Sequence, residues 1–108
     1  MKKIFAETFS AFIGQNAIEN WSLLDISEEN DLFFHLTSFP SCYVIIKTQK
    51  ITKEIIEKGA LLCKENTKYK NLRNIYIDYT YVSNVEKGDI VGEIIYKRKK
   101  LVKKIKLF

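Results

Sequence analysis

The chain has 108 residues, of which 46% are hydrophobic and 13% aromatic, enough for one domain with its own core and too apolar for a disordered segment. Its formal charge of +5 and pI near 9.2 point toward anionic partners, nucleic acid first among them, although solubility also favours a modest excess. Two cysteines without zinc-finger spacing, no apolar run near the about 20 residues of a membrane span, and no apolar leader after Met1-Lys2-Lys3 argue against a disulfide scaffold, a metal site, a membrane anchor and export. The expectation is a cytoplasmic protein with no cofactor.

Lys2–Thr8 alternates as a strand, and Phe9–Ile13 returns beside it as a hairpin arm. Gly14 breaks the pattern, read as a turn where a residue without Cβ meets no penalty for unusual dihedrals. Gln15–Ile26 then places Ile18, Trp21, Leu24 and Leu23 on one helical face. After the polar loop Ser27–Asn30, Asp31–Leu36 is a strand with Leu32, Phe34 and Leu36 on one side and Asp31, Phe33, His35 and Thr37 on the other. Phe39–Ser41 is a turn, since proline is poorly suited to a strand interior. Ser41–Ile46 is apolar on both sides, as a central strand covered on both faces requires. The polar side of the Asp31–Leu36 strand is the first candidate surface.

Thr52–Asn66 has the signals of a helix: Thr52 as cap, Glu54 in the first turn, and Ile55, Ile56, Gly59, Leu62 and Cys63 as a buried stripe. Gly59 in mid-helix costs about 1 kcal/mol relative to alanine, which suggests close packing on the sheet. Leu72–Tyr79 is a strand with Ile75, Ile77 and Tyr79 facing one way. Val82–Asp89 is a polar connection. Ile90–Lys97 and Leu101–Leu107 form a final antiparallel pair turning through Arg98-Lys99-Lys100, with Leu101, Lys103, Ile105 and Leu107 on one face and Val102, Lys104 and Lys106 on the other. No repeat or linker divides residues 1–108, so the expected architecture is a single α+β domain, a mostly antiparallel mixed sheet with two packed helices.

Charge is unevenly placed. Residues 1–40 hold two lysines against six acids, whereas Lys97–Phe108 holds seven bases and no acid. Lys97, Arg98, Lys99, Lys100, Lys103, Lys104 and Lys106, joined by Lys64, Lys68, Lys70 and Arg73, would neutralise phosphates without selecting bases, and Tyr76 and Tyr81 would add stacking. The bland alternative is a solvated strand pair whose lysines discourage edge-to-edge association. Catalysis has weaker support. Asp31 and His35 share a strand face but lie roughly 13 Å apart, so a nuclease site would need Glu19 as well. Gly14-Gln15-Asn16-Ala17 lacks the glycines and the lysine of a phosphate-binding loop.

The order of short motifs is more specific than any one of them. Phe12–Leu24, Asp31-Leu32-Phe33-Phe34-His35, Ser41–Ile46, Ile77-Asp78-Tyr79-Thr80 and Val85–Gly92 together resemble the NFACT-R family of RNA-binding domains, from about Phe12 to Phe108. Asn20, Asp31, His35, Ser41, Tyr79 and Thr80 match the family pattern. Phe33 stands for its usual tryptophan, Gln15 for a basic residue and Tyr43 for a frequent second histidine. The resemblance implies RNA binding on the ribosome, in ribosome-associated quality control, where larger members engage the large subunit and tRNA. Eukaryotic members close in size add a charged coiled-coil tail. The N-terminal module, helix-hairpin-helix and coiled coil of long members are not found here, so the expectation is a minimal adaptor or ribosome-bound factor that does not elongate tails alone. Function then reads as non-enzymatic binding of ribosomal RNA or tRNA, with no membrane and no small-molecule substrate. The alternatives are a dormancy factor occupying a functional site of the ribosome and a protein-interaction module with incidental charge.

Overall fold

The computed structural model describes residues 1–37 and 40–108. Its strands are β1 (Lys2–Phe5), β2 (Ser10–Ile13), β3 (Leu32–Leu36), β4 (Val44–Lys47), β5 (Ile75–Tyr81), β6 (Val85–Lys87), β7 (Ile94–Tyr96) and β8 (Lys103–Leu107), with helices α1 (Ala17–Ile26) and α2 (Lys53–Glu65). Six strands form an antiparallel sheet in the order β1-β2-β4-β3-β5-β8, and β6 with β7 makes a separate two-stranded ribbon. The α+β expectation holds. The turn placed at Phe39–Ser41 begins outside the described residues.

Side chains alternate across a strand, so the central strands feed two cores. On one face Ala11, Ile13, Leu32, Phe34, Leu36, Val44, Ile46, Ile75 and Ile77 pack beneath α2, which contributes Ile55, Ala60, Leu62 and Cys63. On the other, Phe33, Tyr43 and Ile45 meet Leu23 of α1 and Val85 of the ribbon, flanked by Trp21, Ile94 and Tyr96. Phe33, Phe34 and Tyr43 are each 0% exposed. The face of β3 expected to be a polar surface is therefore covered by a third layer, and α1 with the ribbon is what covers it.

Local signals explain both helices. Asn16 caps α1 by accepting from the Glu19 amide at 2.9 Å, while Glu19 Oε1 accepts from the amide of Gln15, just before the cap, at 3.0 Å. Thr52 caps α2 through the Ile55 amide at 3.2 Å. The buried face of α1 differs from the expected stripe: Leu23 and Asn20 are buried, Trp21 and Leu24 partly so, and Ile18 is 73% exposed. Asn20 takes the inner position because its side chain satisfies backbone, with Oδ1 accepting from the Tyr43 amide at 3.1 Å.

Two glycines are explained by contact. A Cβ on Gly59 would lie 2.3 Å from the Phe34 ring, so the glycine lets α2 sit flat on β3. One on Gly14 would lie 2.2 Å from Asn20 Oδ1. Gly14 does mark the turn from β2 into α1, but among the glycines only Gly92 has positive φ, at 92°.

The C-terminal third departs most from expectation. Ser83-Asn84 belongs to a short 3-10 turn (Val82–Asn84) leading into β6, so the stretch expected to be a connection carries a strand. β7 pairs with β6, closed by the Gly88 amide donating to the Glu93 carbonyl at 2.8 Å, and not with the C-terminal strand. Trp21 Nε1 donates to the same Glu93 carbonyl at 2.9 Å and fastens the ribbon to α1. The chain then crosses through a second 3-10 turn (Lys99–Leu101) to the open edge of β5, where β8 adds with Lys104 opposite Asp78.

Candidate nucleic-acid interface

β8 is an edge strand, and on its sequence it would be a poor one to leave bare: Ile105 and Leu107 turn in against the α2 core, and Lys103, Lys104 and Lys106 remain exposed. Lysine stems can cover the apolar border while their ammonium groups stay in water. Register fixes the order of charge along the edge. Lys103 lies opposite Tyr79, Lys104 opposite Asp78 and Lys106 opposite Tyr76, over roughly 10 Å of strand.

At the Lys103 end, Lys97, Arg98, Lys99 and Lys100 are all exposed in the crossover. That crossover is held at both ends by buried side chains. The Asn84 Oδ1 accepts from the Arg98 amide at 2.8 Å and its Nδ2 donates to the Arg98 carbonyl at 3.0 Å, while Thr80 Oγ1 donates to the Leu101 carbonyl at 3.1 Å. Asn84 Nδ2 also reaches Thr80 Oγ1 at 3.2 Å, so the two anchors brace each other. Nothing in the spacing of Asn84 marked it beforehand; Ser83-Asn84 reads as an ordinary polar turn until the crossover is seen.

At the other end, Lys70 and Arg73 are exposed in the loop before β5, whose first residue Ile75 pairs with Leu107. Lys64 is partly buried in the last turn of α2. The predicted bases thus form two groups joined by β8 and not a single cluster. Lys68 turns away from this edge: it lines a cleft of about 440 Å³ with Gln15, Asn16, His35 and Ser41, and its ammonium lies 5.3 Å from the Tyr69 ring. Not every base is equally available. Lys104 pairs with the buried Asp78 carboxylate at 2.8 Å, and Lys106 lies over Tyr76 at 5.8 Å and Phe108 at 5.1 Å. Tyr76 and Tyr81 are 46% and 47% exposed, as stacking requires.

The residues carrying the family pattern are buried or partly buried, and most of them hold backbone or stack on core rings. Asn20 anchors β4 as described. Asp31 Oδ2 accepts from the Glu28 amide at 2.8 Å and pairs with Lys47 at 2.6 Å. Ser41 Oγ accepts from the Leu36 amide at 3.1 Å, Tyr79 stacks on Phe34 with centroids 5.8 Å apart, and Thr80 secures Leu101. His35 lies parallel to Phe33 and edge-on to Tyr43 at 5.5 Å, opposite Asp78 in register. Burial lowers its pKa from the ordinary 6.5, against the raising effect of a Leu36 backbone hydrogen bond and the Asp78 charge. Tyr96 donates to Asp78 Oδ2 at 3.1 Å, and burial followed by that carboxylate raises its pKa.

The triad considered for a nuclease is not assembled. Glu19 caps the start of α1 and pairs with the terminal amine at 2.9 Å, whereas Asp31 lies before the opposite end of β3 from His35. Among the described residues no group of three or more His, Cys, Asp or Glu side chains is placed to hold a metal ion. Cys42 and Cys63 are free and buried, facing each other across the α2 core, with Cys42 Sγ donating to the Cys63 carbonyl at 3.5 Å. No helix among the described residues is long and apolar enough to cross a membrane.

A sequence profile of the NFACT protein RNA-binding domain matches residues 4–99. Among curated proteins, the chain is 31% identical over 107 residues to coiled-coil domain-containing protein 25 of Mus musculus and 29% identical to that of Bos taurus, covering 91% of this chain and 51% of each relative. It therefore spans about half the length of those relatives. Among solved structures, the C-terminal part of the fibronectin/fibrinogen-binding protein from Streptococcus suis superposes with a TM-score of 0.82 over 92% of this chain and 40% of that one, at 19% identity, a likeness of fold. With the profile running from β1 to the basic crossover, the chain belongs to the NFACT RNA-binding domain family.

Proposed function

We propose that this chain is a non-enzymatic RNA-binding protein that docks on ribosomal RNA or tRNA, with the large ribosomal subunit as its partner, in ribosome-associated quality control. The observation that carries the reading is the exposed basic edge, from the Lys97–Lys100 crossover along β8 to Arg73, on a chain of an RNA-binding family. An A-form helix offers phosphates and 2′-hydroxyls to such an edge without presenting a readable deep groove, so contact along the strand recognises shape and charge more than sequence. Each phosphate neutralised releases a counterion, and affinity for RNA falls steeply with salt.

Fluorescence anisotropy with labelled tRNA across a salt series, alongside co-sedimentation with purified large subunits, tests the proposal. A steep salt slope and sedimentation with the large subunit are expected; affinity that barely changes between low and moderate salt overturns it. A second reading, a protein-interaction module, draws support from Ile18 and Ile90, exposed by 73% and 69%. Under that reading, neutralising Lys99, Lys100, Lys103 and Lys104 together leaves partner capture intact.

A further inference from the structure

We propose that the groove beside the basic crossover is a pocket for one unpaired nucleotide of an RNA strand, its base against Tyr81 and its phosphate on Lys100 and Lys103. The proposal rests on the RNA-binding reading above and adds a location and a ligand class to it. The groove has a volume of about 280 Å³, with buried Leu32 and partly buried Ile56 among its lining, Tyr79 and Tyr81 as aromatic wall, and Lys100 and Lys103 at its basic side. That volume is close to the low end of the roughly 300–1,000 Å³ of ordinary small-molecule clefts, so it suits a single base and excludes a duplex.

Three features favour a nucleotide over another apolar guest. Tyr81 is 47% exposed and presents a free ring, whereas Tyr79 is committed to Phe34, so one aromatic face is open for stacking. Lys100 and Lys103 form no ion pair among the described residues, in contrast to Lys104, so two charges remain for an anion. The backbone of the basic side is also held. Asn84 and Thr80, 5% and 6% exposed, fasten the Arg98–Leu101 segment that carries Lys100, and the backbone of Lys103 is paired opposite Tyr79. An apolar slot with an aromatic wall and two exposed lysines on a fixed backbone matches a planar base linked to a phosphate. The hydroxyl of Ser83, also in the lining, supplies a donor and acceptor for a base edge.

The test compares a short oligo(A) strand with a blunt RNA duplex carrying the same number of phosphates, at low and at moderate salt. A single 2-aminopurine in the strand reports stacking by its loss of fluorescence. The intact protein quenches the probe. Tyr81→Ala weakens strand binding about tenfold and abolishes quenching with little change for the duplex, and Tyr81→Phe retains both. Lys100→Gln with Lys103→Gln weakens both RNAs but leaves residual quenching. Circular dichroism confirms that each variant is folded, which the exposure of Tyr81 favours.

The pocket is overturned, with the RNA-binding reading left standing, if Tyr81→Ala binds strand as the parent does, or loses strand and duplex equally, while both RNAs remain salt-sensitive ligands. If neither RNA binds the parent protein at low salt, the RNA-binding reading falls and the pocket with it.

Discussion

Strands β3 and β8 flank the same partner, β5, and meet opposite demands. Asp78 of β5 lies between His35 on one side and Lys104 on the other. Toward β3 the packing is close: Phe33 and Phe34 are fully buried on opposite faces, and polar groups such as Asp31 and Ser41 are used to hold backbone. Toward β8 the inner face is thinly apolar and the rest is lysine in water. The residues that define the family pattern therefore build the platform, while those that would touch a polyanion lie at its rim. Much of that rim, from Lys100 through β8, lies beyond the profile match at residues 4–99.

Substitutions on the two sides should separate stability from binding. The largest effect is expected inside: Phe34→Ala removes a fully buried ring between β3 and α2 and should cost about 3–5 kcal/mol in urea unfolding. Gly59→Ala should also destabilise, by about 1–3 kcal/mol, because the new methyl meets the Phe34 ring and outweighs the gain in helix propensity of about 1 kcal/mol. Asn84→Ala joins the two regions. Losing the bonds to Arg98 should cost about 1–3 kcal/mol in the same assay and loosen the crossover, with weaker RNA binding in anisotropy.

The smallest effect is a pH dependence from His35, whose surroundings include Asp78, Glu93, Tyr96 and Tyr43. Its folded pKa is below 6.5, so the unfolded chain takes up the proton first. Stability is full above about pH 6.5 and falls as pH drops from there toward the folded value. Thermal melts of the parent and His35→Gln across that window should differ in slope, the variant being flatter.

Most of the architecture was readable because it depends on local periodicity. β3, β5 and α2 follow from alternation and from the Thr52 cap, and the central place of the Tyr43–Ile46 region follows from its two apolar faces. The third layer was not readable. Whether Phe33 and His35 face water depends on α1 and the ribbon arriving from elsewhere in the chain, and short strands such as Val85–Lys87 carry too few residues for a clear period. The same gap explains the misplaced hairpin. Ile94–Tyr96 and Lys103–Leu107 both look like strands next to each other, and long-range contacts, among them the bonds from Asn84, Thr80 and Trp21, accompany their placement in different sheets. For the interface, the bases were visible as residues, but their division into two groups, the pairing of Lys104 and the departure of Lys68 are matters of register and topology.

The central claim is that the β8 edge with its crossover supplies the contact to RNA. It is tested most directly by comparing the salt dependence of tRNA binding for the parent and for a variant with Lys97, Arg98, Lys99 and Lys100 all changed to Gln, by anisotropy at several salt concentrations. The expected result is a slope of log K against log salt reduced by about 0.7–0.9 for each base that contacts phosphate, with unfolding free energy within about 0.5 kcal/mol of the parent. An unchanged slope with weakened or equal binding would contradict it.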